Sequence, residues 1–97
     1  NFQQYFAAAT GPTLSVEVLG ANHMSFLDNP NCGFVCSACP SGSDDPAVTR
    51  TIARRTVTAF LKRSLEANTD YDGYLTGAEI DADVANGLVV YETKNGF

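Results

Sequence analysis

No apolar run in the sequence approaches the roughly 18 residues that a membrane-spanning helix needs. Basic residues are also scarce, because 6 Lys and Arg face 11 Asp and Glu and leave a net charge of -5. Five of the basic residues lie between positions 50 and 63, at spacings typical of the solvated face of a helix. The composition therefore argues against a membrane span and against a surface for nucleic acid or anionic lipid.

The amino terminus has neither an initiator Met nor the basic and apolar regions of a signal peptide. This absence indicates a processed or excised product. The chain has 97 residues, which suffice for one small domain, and its 44% apolar content is ordinary for a globular protein. We find no internal repeat or linker, so residues 1–97 are interpreted as belonging to a single domain.

Periodic apolar residues predict a strand that follows a short helix. Helical spacing predicts the helix over residues 2–9, and alternation predicts a strand over residues 13–19. Another strand, at a sheet edge, is predicted over residues 88–93. A strand between helices is typical of a parallel α/β sheet, whose strands need neighbours and cover on both faces. Two strands do not provide this, so we expect another polypeptide to complete the sheet.

A long helix is predicted from Pro46 to about Asn68. Asp45 suits its N-cap, and Pro46 suits its first position. A shorter helix is expected over residues 77–85. Five apolar residues at helical spacing are expected to form the buried face of the long helix: Ala53, Val57, Phe60, Leu61 and Leu65.

Residues 13–28, Thr-Leu-Ser-Val-Glu-Val-Leu-Gly-Ala-Asn-His-Met-Ser-Phe-Leu-Asp, resemble the last core strand and histidine loop of α/β-hydrolases. The resemblance is closest to secreted or lipase-like esterases of the dienelactone-hydrolase and chlorophyllase type. Residues 1–12 resemble the helix before that strand, and residues 46–67 resemble the terminal helix. The resemblance implies that residues 1–97 form the C-terminal part of a secreted α/β-hydrolase fold, with the sheet completed by another polypeptide.

The resemblance makes His23 the general base of a Ser-His-Asp triad that hydrolyses carboxylic esters through an acyl-serine intermediate. In the family's chain order the serine and the acid precede the histidine. The sequence contains no Gly-x-Ser-x-Gly elbow. We therefore expect an N-terminal hydrolase polypeptide to supply both residues in a heterodimer that needs no cofactor or metal. Met24 and Phe26 are expected to line the substrate pocket or to pack under the loop.

A triad within the chain is the less favoured arrangement. It would combine Ser25 or Ser43 with His23 and either Asp28 or Asp44. Ser25 and Asp28 lie too close to His23 in sequence to form a rigid in-line arrangement easily. The hydrolase interpretation therefore requires a second polypeptide.

Three cysteines, Cys32, Cys36 and Cys39, follow the histidine within a short segment. An odd number permits at most one internal disulfide, and the remaining thiol is free or paired with another chain. In the extracellular setting implied by the resemblance, we expect a disulfide that stiffens the loop after His23. A zinc site formed by these cysteines and His23 is the alternative.

Residues 68–79 match an EF-hand loop at several positions. Asn68, Asp70 and Asp72 place oxygen ligands, Gly73 provides the turn and Glu79 ends the loop. A second hand is absent, and Thr-x-x-Glu before Ile80 also fits a capping box for the next helix. A non-enzymatic calcium-binding or interaction module is therefore the alternative function.

Overall fold

The computed structural model describes residues 2–27, 33–34 and 42–97. Two strands and a long helix dominate these residues, with a 3-10 turn between the first strand and the long helix. The elements in chain order are α1 (Phe2–Ala8), β1 (Thr13–Val18), the 3-10 turn (His23–Phe26), α2 (Pro46–Glu66), α3 (Gly73–Thr76), α4 (Ala78–Ala85) and β2 (Val89–Lys94). The predictions of a short first helix, two strands and a long helix are confirmed.

Helix α2 begins as its sequence predicts. The Asp45 carboxylate accepts a hydrogen bond of 3.0 Å from the backbone N–H of Ala47, and Pro46 occupies the first turn. The helix ends at Glu66, close to the predicted end, where Ala67 adopts the left-handed conformation with φ 52°. Across the described ranges, no helix has both the length and the apolar content that a membrane crossing requires.

Strands β1 and β2 pair in antiparallel register, with Val16 opposite Tyr91 and Val18 opposite Val89. One further bond, from the N–H of Leu19 to the carbonyl of Leu88 at 2.9 Å, extends the ladder. The pairing joins the two ends of the described chain and leaves β1 with one unpaired edge in the two-stranded sheet. A parallel neighbour for β1 stays a prediction.

The core lies between α2, α4 and the sheet and is small. Ile52, Ile80 and Val89 form its centre, and Val16 and Tyr91 are among the half-buried residues packed against it. Leu75 in α3 is fully buried, which places this single helical turn against the rest of the domain. Among the described residues, few apolar side chains are therefore buried.

The predicted buried face of α2 is wrong. Phe60 and Leu61 are close to half exposed, Val57 is 57% exposed and Leu65 is 78% exposed, whereas Ala53 is half-buried. The face that packs on the core instead carries Thr49, Ile52 and Ala59. The prediction selected the more apolar face of α2. Within the described residues, however, the strands pack against the neighbouring face of this helix.

Ion pairs connect the basic side of α2 to the C-terminal elements. Arg55 pairs with Asp83 of α4, and Arg63 pairs with Asp72 at 2.9 Å. These two arginines were predicted to lie on the solvated face of the helix, but each side chain is less than 40% exposed and forms an ion pair. The pairs hold α3 and α4 along the helix.

The helix predicted over residues 77–85 begins at Ala78. Its N-cap is Gly77 and no side chain caps it, so the predicted capping box of Thr76 and Glu79 is wrong. The Glu79 carboxylate instead lies against Gly73, where a Cβ atom would collide with it. Residues 73–76 form an additional helical turn that the sequence pattern did not predict.

Candidate functional site

His23 is the first residue of the 3-10 turn that follows β1, and its side chain is exposed. Strand β1 ends at Val18, and the chain reverses at Gly20, which has a φ of +75°. Asn22 then has extended backbone and caps the turn. The imidazole is therefore presented to solvent within five residues of a strand end, as the sequence predicts.

The 3-10 turn His23–Phe26, called the histidine turn below, is closed by a reciprocal capping box. The Asn22 Oδ1 atom accepts hydrogen bonds from the N–H groups of Met24 at 2.9 Å and Ser25 at 3.2 Å. In return, the N–H of Asn22 donates to Ser25 Oγ at 3.1 Å. These bonds fix the backbone on both sides of His23, since residues 22 and 25 flank it.

Asp44 connects this turn to helix α2. The buried Ser25 hydroxyl donates to Asp44 Oδ1 at 2.9 Å, and the buried Thr49 hydroxyl donates to Asp44 Oδ2. Each carboxylate oxygen therefore serves one hydroxyl. Since Thr49 lies in the first turns of α2, the carboxylate ties the histidine turn to the long helix.

The hydroxyl contacts lower the pKa of Asp44 below the ordinary aspartate value. The hydrogen bond from Thr49 is the largest cause, and the bond from Ser25 acts in the same direction. Desolvation of the carboxylate opposes both. The contacts thus favour the charged form, which accepts from both hydroxyls.

Two further bonds hold the ends of the loop that carries His23. The carbonyl of Gly20 accepts from the N–H of Ser43 at 2.8 Å, and the carbonyl of Leu27 accepts from Arg50 Nη1 at 3.1 Å. A Cβ at Gly20 would lie 2.5 Å from Ser43 Oγ, and the positive φ also favours glycine there. Residues 43–50 therefore support the loop from its start to its end.

The structure separates the two residues predicted to line a substrate pocket. Phe26 is half exposed and borders a shallow cavity of about 240 Å³ with Arg50, Ala53 and Arg54. Met24 is half-buried and does not line that cavity. Only Phe26 is thus placed on an open surface, and the pocket role of both residues stays a prediction.

Ser25 is not placed as the nucleophile of an internal triad. Its side chain is only 3% exposed, and its hydroxyl already donates to Asp44 and accepts from Asn22. Ser43 is exposed, and its backbone supports Gly20. Among the described residues, neither Ser25 nor Ser43 is therefore both exposed and hydrogen-bonded as the nucleophile of a triad with His23. Asp28, the other candidate acid, lies outside the described residues.

The cysteine predictions fall in a part of the chain that the structure does not describe. Cys32, Cys36 and Cys39 all lie there. Both the disulfide and the alternative zinc site with His23 therefore stay predictions. Elsewhere, in residues 2–27, 33–34 and 42–97, no three His, Cys, Asp or Glu side chains are grouped as metal ligands.

The EF-hand-like segment adopts a turn followed by helix α3. Asn68 Oδ1 accepts from the N–H of Asp70 at 2.9 Å, and Asp72 is paired with Arg63. Residues 73–76 are helical, and Glu79 lies against Gly73. One predicted calcium ligand, Asp72, thus has a cationic partner in this arrangement, and calcium binding stays a prediction.

A groove runs between α1 and the unpaired edge of β1. Its volume is about 530 Å³, and Phe2, Tyr5 and Phe6 form the helix side while residues 13–17 form the strand side. No residue of α1 is buried. The carbonyls of Ala9 and Gly11 accept from Asn95, which attaches the end of this segment to the residue after β2. The groove is therefore an open, mostly apolar surface between α1 and β1.

Sequence reasoning missed Thr49, and it placed Asp44 only as a possible acid of the internal triad, not as the support of the histidine turn. The Asn22-His-Met-Ser25 spacing already carries the N-cap and third-position pattern of a capping box. No local pattern relates Asp44 to Ser25, which lies 19 residues earlier. That contact exists only because the loop returns to the start of α2.

No family model, no curated protein and no solved structure matches the chain. The features that bear on function are therefore those of the histidine turn and of the surfaces around it. These are an exposed imidazole, a fixed backbone beneath it and uncovered apolar faces on α1 and α2.

Proposed function

We propose that this chain supplies His23 as the general base of a serine hydrolase that acts on carboxylic esters. The observation that carries the proposal is the exposed imidazole on an anchored turn directly after a strand. In α/β sheets, ligands bind beyond the carboxyl ends of strands, which is where this turn lies. The nucleophilic serine and the acid belong to an N-terminal hydrolase polypeptide.

In the proposed mechanism, the chain contributes one correctly positioned imidazole, that of His23. A neutral ring nitrogen of His23 takes the proton of the serine hydroxyl as its oxygen attacks the ester carbonyl. The imidazolium then returns that proton to the leaving alcohol, and an acyl-serine remains. Water repeats the two transfers and releases the acid. An imidazole performs both steps near neutral pH because its usual pKa lies there.

Uncovered apolar surfaces support the presence of a partner polypeptide. Val57, Leu61 and Leu65 form an exposed row on α2, and the groove beside β1 exposes Phe2 and Tyr5. Contiguous apolar surface of this kind marks interaction sites in stable proteins. We propose that the partner adds to the sheet at β1 and covers this face of α2, in a secreted heterodimer.

Replacing His23 by Ala in the assembled protein tests the proposal. Ester turnover is expected to fall by about a thousandfold or more, because no other group takes the serine proton. The fold should be preserved, since the side chain is exposed, and unfolding by denaturant checks this. Near-normal turnover would contradict the proposal.

The presence of a partner is tested by identifying the polypeptides that co-purify with the chain. Co-purification and intact-mass measurement should identify a second polypeptide, and a fluorophosphonate probe should label a serine on that polypeptide. Labelling of residues 1–97 alone would instead require an internal nucleophile.

A further inference from the structure

We infer that Asp44 is the positioning residue of His23, holding the turn that presents the imidazole through Ser25 and Asn22. This inference deepens the proposed function and rests on it. Asp44 lies 21 positions after His23 in the sequence, outside the turn and outside any local motif. Its role is therefore visible only in the folded chain.

A continuous series of hydrogen bonds connects helix α2 to the backbone beside His23. Thr49 donates to one oxygen of Asp44, and Ser25 donates to the other at 2.9 Å. Ser25 Oγ also accepts from the N–H of Asn22 at 3.1 Å. Asn22 in turn caps the turn whose first residue is His23. Every link is a hydrogen bond, and two of its side chains, Ser25 and Thr49, are buried.

A carboxylate suits this position better than any neutral side chain. It offers two oxygens and no donor, so both hydroxyls donate to it at once. An amide offers a single oxygen, and one hydroxyl would then have to face an N–H group. Bonds to an ionised acceptor are also stronger than neutral ones. Asp44 thus fixes the orientation of two buried hydroxyls as well as joining two elements.

The chain provides a matched control in the adjacent residue. Asp45 is also an aspartate beside the same helix, but it accepts from the N–H of Ala47 and serves α2 alone. Replacing either residue by Ala removes one carboxylate near the start of α2. Only the Asp44→Ala variant breaks the connection to the histidine turn.

The first experiment observes the imidazole without any catalysis. His23 is the only histidine, so its side-chain NMR signals need no further assignment. We expect Asp44→Ala to lower the order parameters of the 22–25 backbone and to move the His23 signals toward those of a free histidine. Asp45→Ala should leave both close to the unmodified protein. Equal changes in the two variants would overturn the inference.

The second experiment measures turnover of the assembled hydrolase. A base displaced by about 1 Å costs up to about 100-fold in rate, so Asp44→Ala should lower kcat by about 10- to 100-fold with little change in KM. Asp45→Ala should stay within about twofold. If Asp44→Ala fails to fold, Ser25→Ala and Thr49→Val each remove one link and should each lower kcat less.

The outcomes separate this inference from the function on which it rests. Normal kcat in Asp44→Ala, Ser25→Ala and Thr49→Val, with an inactive His23→Ala variant, overturns the positioning role and leaves the hydrolase proposal standing. Retained activity in His23→Ala overturns both. Partial recovery in Asp44→Asn, which keeps one oxygen, supports the positioning role.

Discussion

At the scale of single residues, the proposed function depends on the contrast between His23 and the residues around it. The imidazole is exposed, whereas Ser25 and Thr49 are buried and fully engaged by Asp44. The imidazole that we propose as the base thus lies on a turn whose supporting hydroxyls are buried and whose supporting carboxylate, that of Asp44, is half-buried. Buried polar groups of this kind define one conformation because each unmade hydrogen bond is costly.

The pH dependence of folding follows from Asp44. Its pKa in the folded chain is lowered, first by the Thr49 hydrogen bond, so the folded state binds its proton less readily than the unfolded state. The stabilisation is therefore complete above the ordinary aspartate pKa of about 4 and is lost as the pH falls below it. Thermal unfolding between pH 2 and 6, roughly the range around that value, measures it.

The variant Asp44→Asn serves as the comparison for this titration. It has no proton to bind, so its unfolding temperature should decline less steeply in acid than that of the unmodified chain. All other acids are the same in the two proteins, so they contribute equally to both curves. Parallel curves would show that Asp44 has the same pKa in the folded and unfolded states.

At the scale of the elements, α2 has two faces with different tasks. Ile52 and Ala59 face the chain's own core, and Leu65 and Val57 face outward. An amphipathic pattern identifies a helix and its apolar residues, but it does not say which apolar residues meet which neighbour. The predicted stripe therefore located an apolar face of α2 and assigned it wrongly to this chain's core.

Matched alanine substitutions in α2 test this division. Ile52→Ala should lower the free energy of unfolding by about 2–5 kcal/mol, because it removes a buried aliphatic side chain. Leu65→Ala should change it by about 0.5 kcal/mol or less, since that side chain is exposed. Denaturant titration of the chain alone measures both. Comparable losses would place Leu65 in the core as well.

The loop before α4 carries the calcium prediction. Asp72 already pairs with Arg63, and binding of the metal would have to displace that arginine. If the EF-hand interpretation holds, titration calorimetry should detect heat at millimolar calcium, and Asp70→Ala should abolish it. Arg63→Ala should strengthen binding by freeing Asp72. No heat from the unmodified chain would dismiss the calcium module.

At the scale of the whole molecule, the described residues bury few apolar side chains and expose many. The central cluster contains Ile52, Ile80 and Val89, while Phe2 and Leu61 are close to half exposed and Leu65 is 78% exposed. A two-stranded sheet alone is marginally stable. These features support the proposal of a partner polypeptide.

The sequence by itself determined the two strands, the first helix, the long helix α2 and the position of His23 after a strand. Alternation, helical spacing, the Asp45 cap and Pro46 act over a few residues, so they are readable without a fold. The resemblance to α/β-hydrolases stays a prediction from the same residues. The predicted cap of α4 failed because Glu79 contacts Gly73 instead of the helix start, a choice made by packing.

Only the tertiary structure decided which faces are buried and what supports the histidine. The antiparallel pairing of β1 with β2 and the contact of Asp44 with Ser25 both join residues distant in sequence. Such contacts depend on how the chain closes on itself, and no local pattern encodes that closure. The position of His23 after a strand could thus be predicted from the adjacent sequence. The contact of Asp44 with the histidine turn could not, because it depends on the tertiary structure.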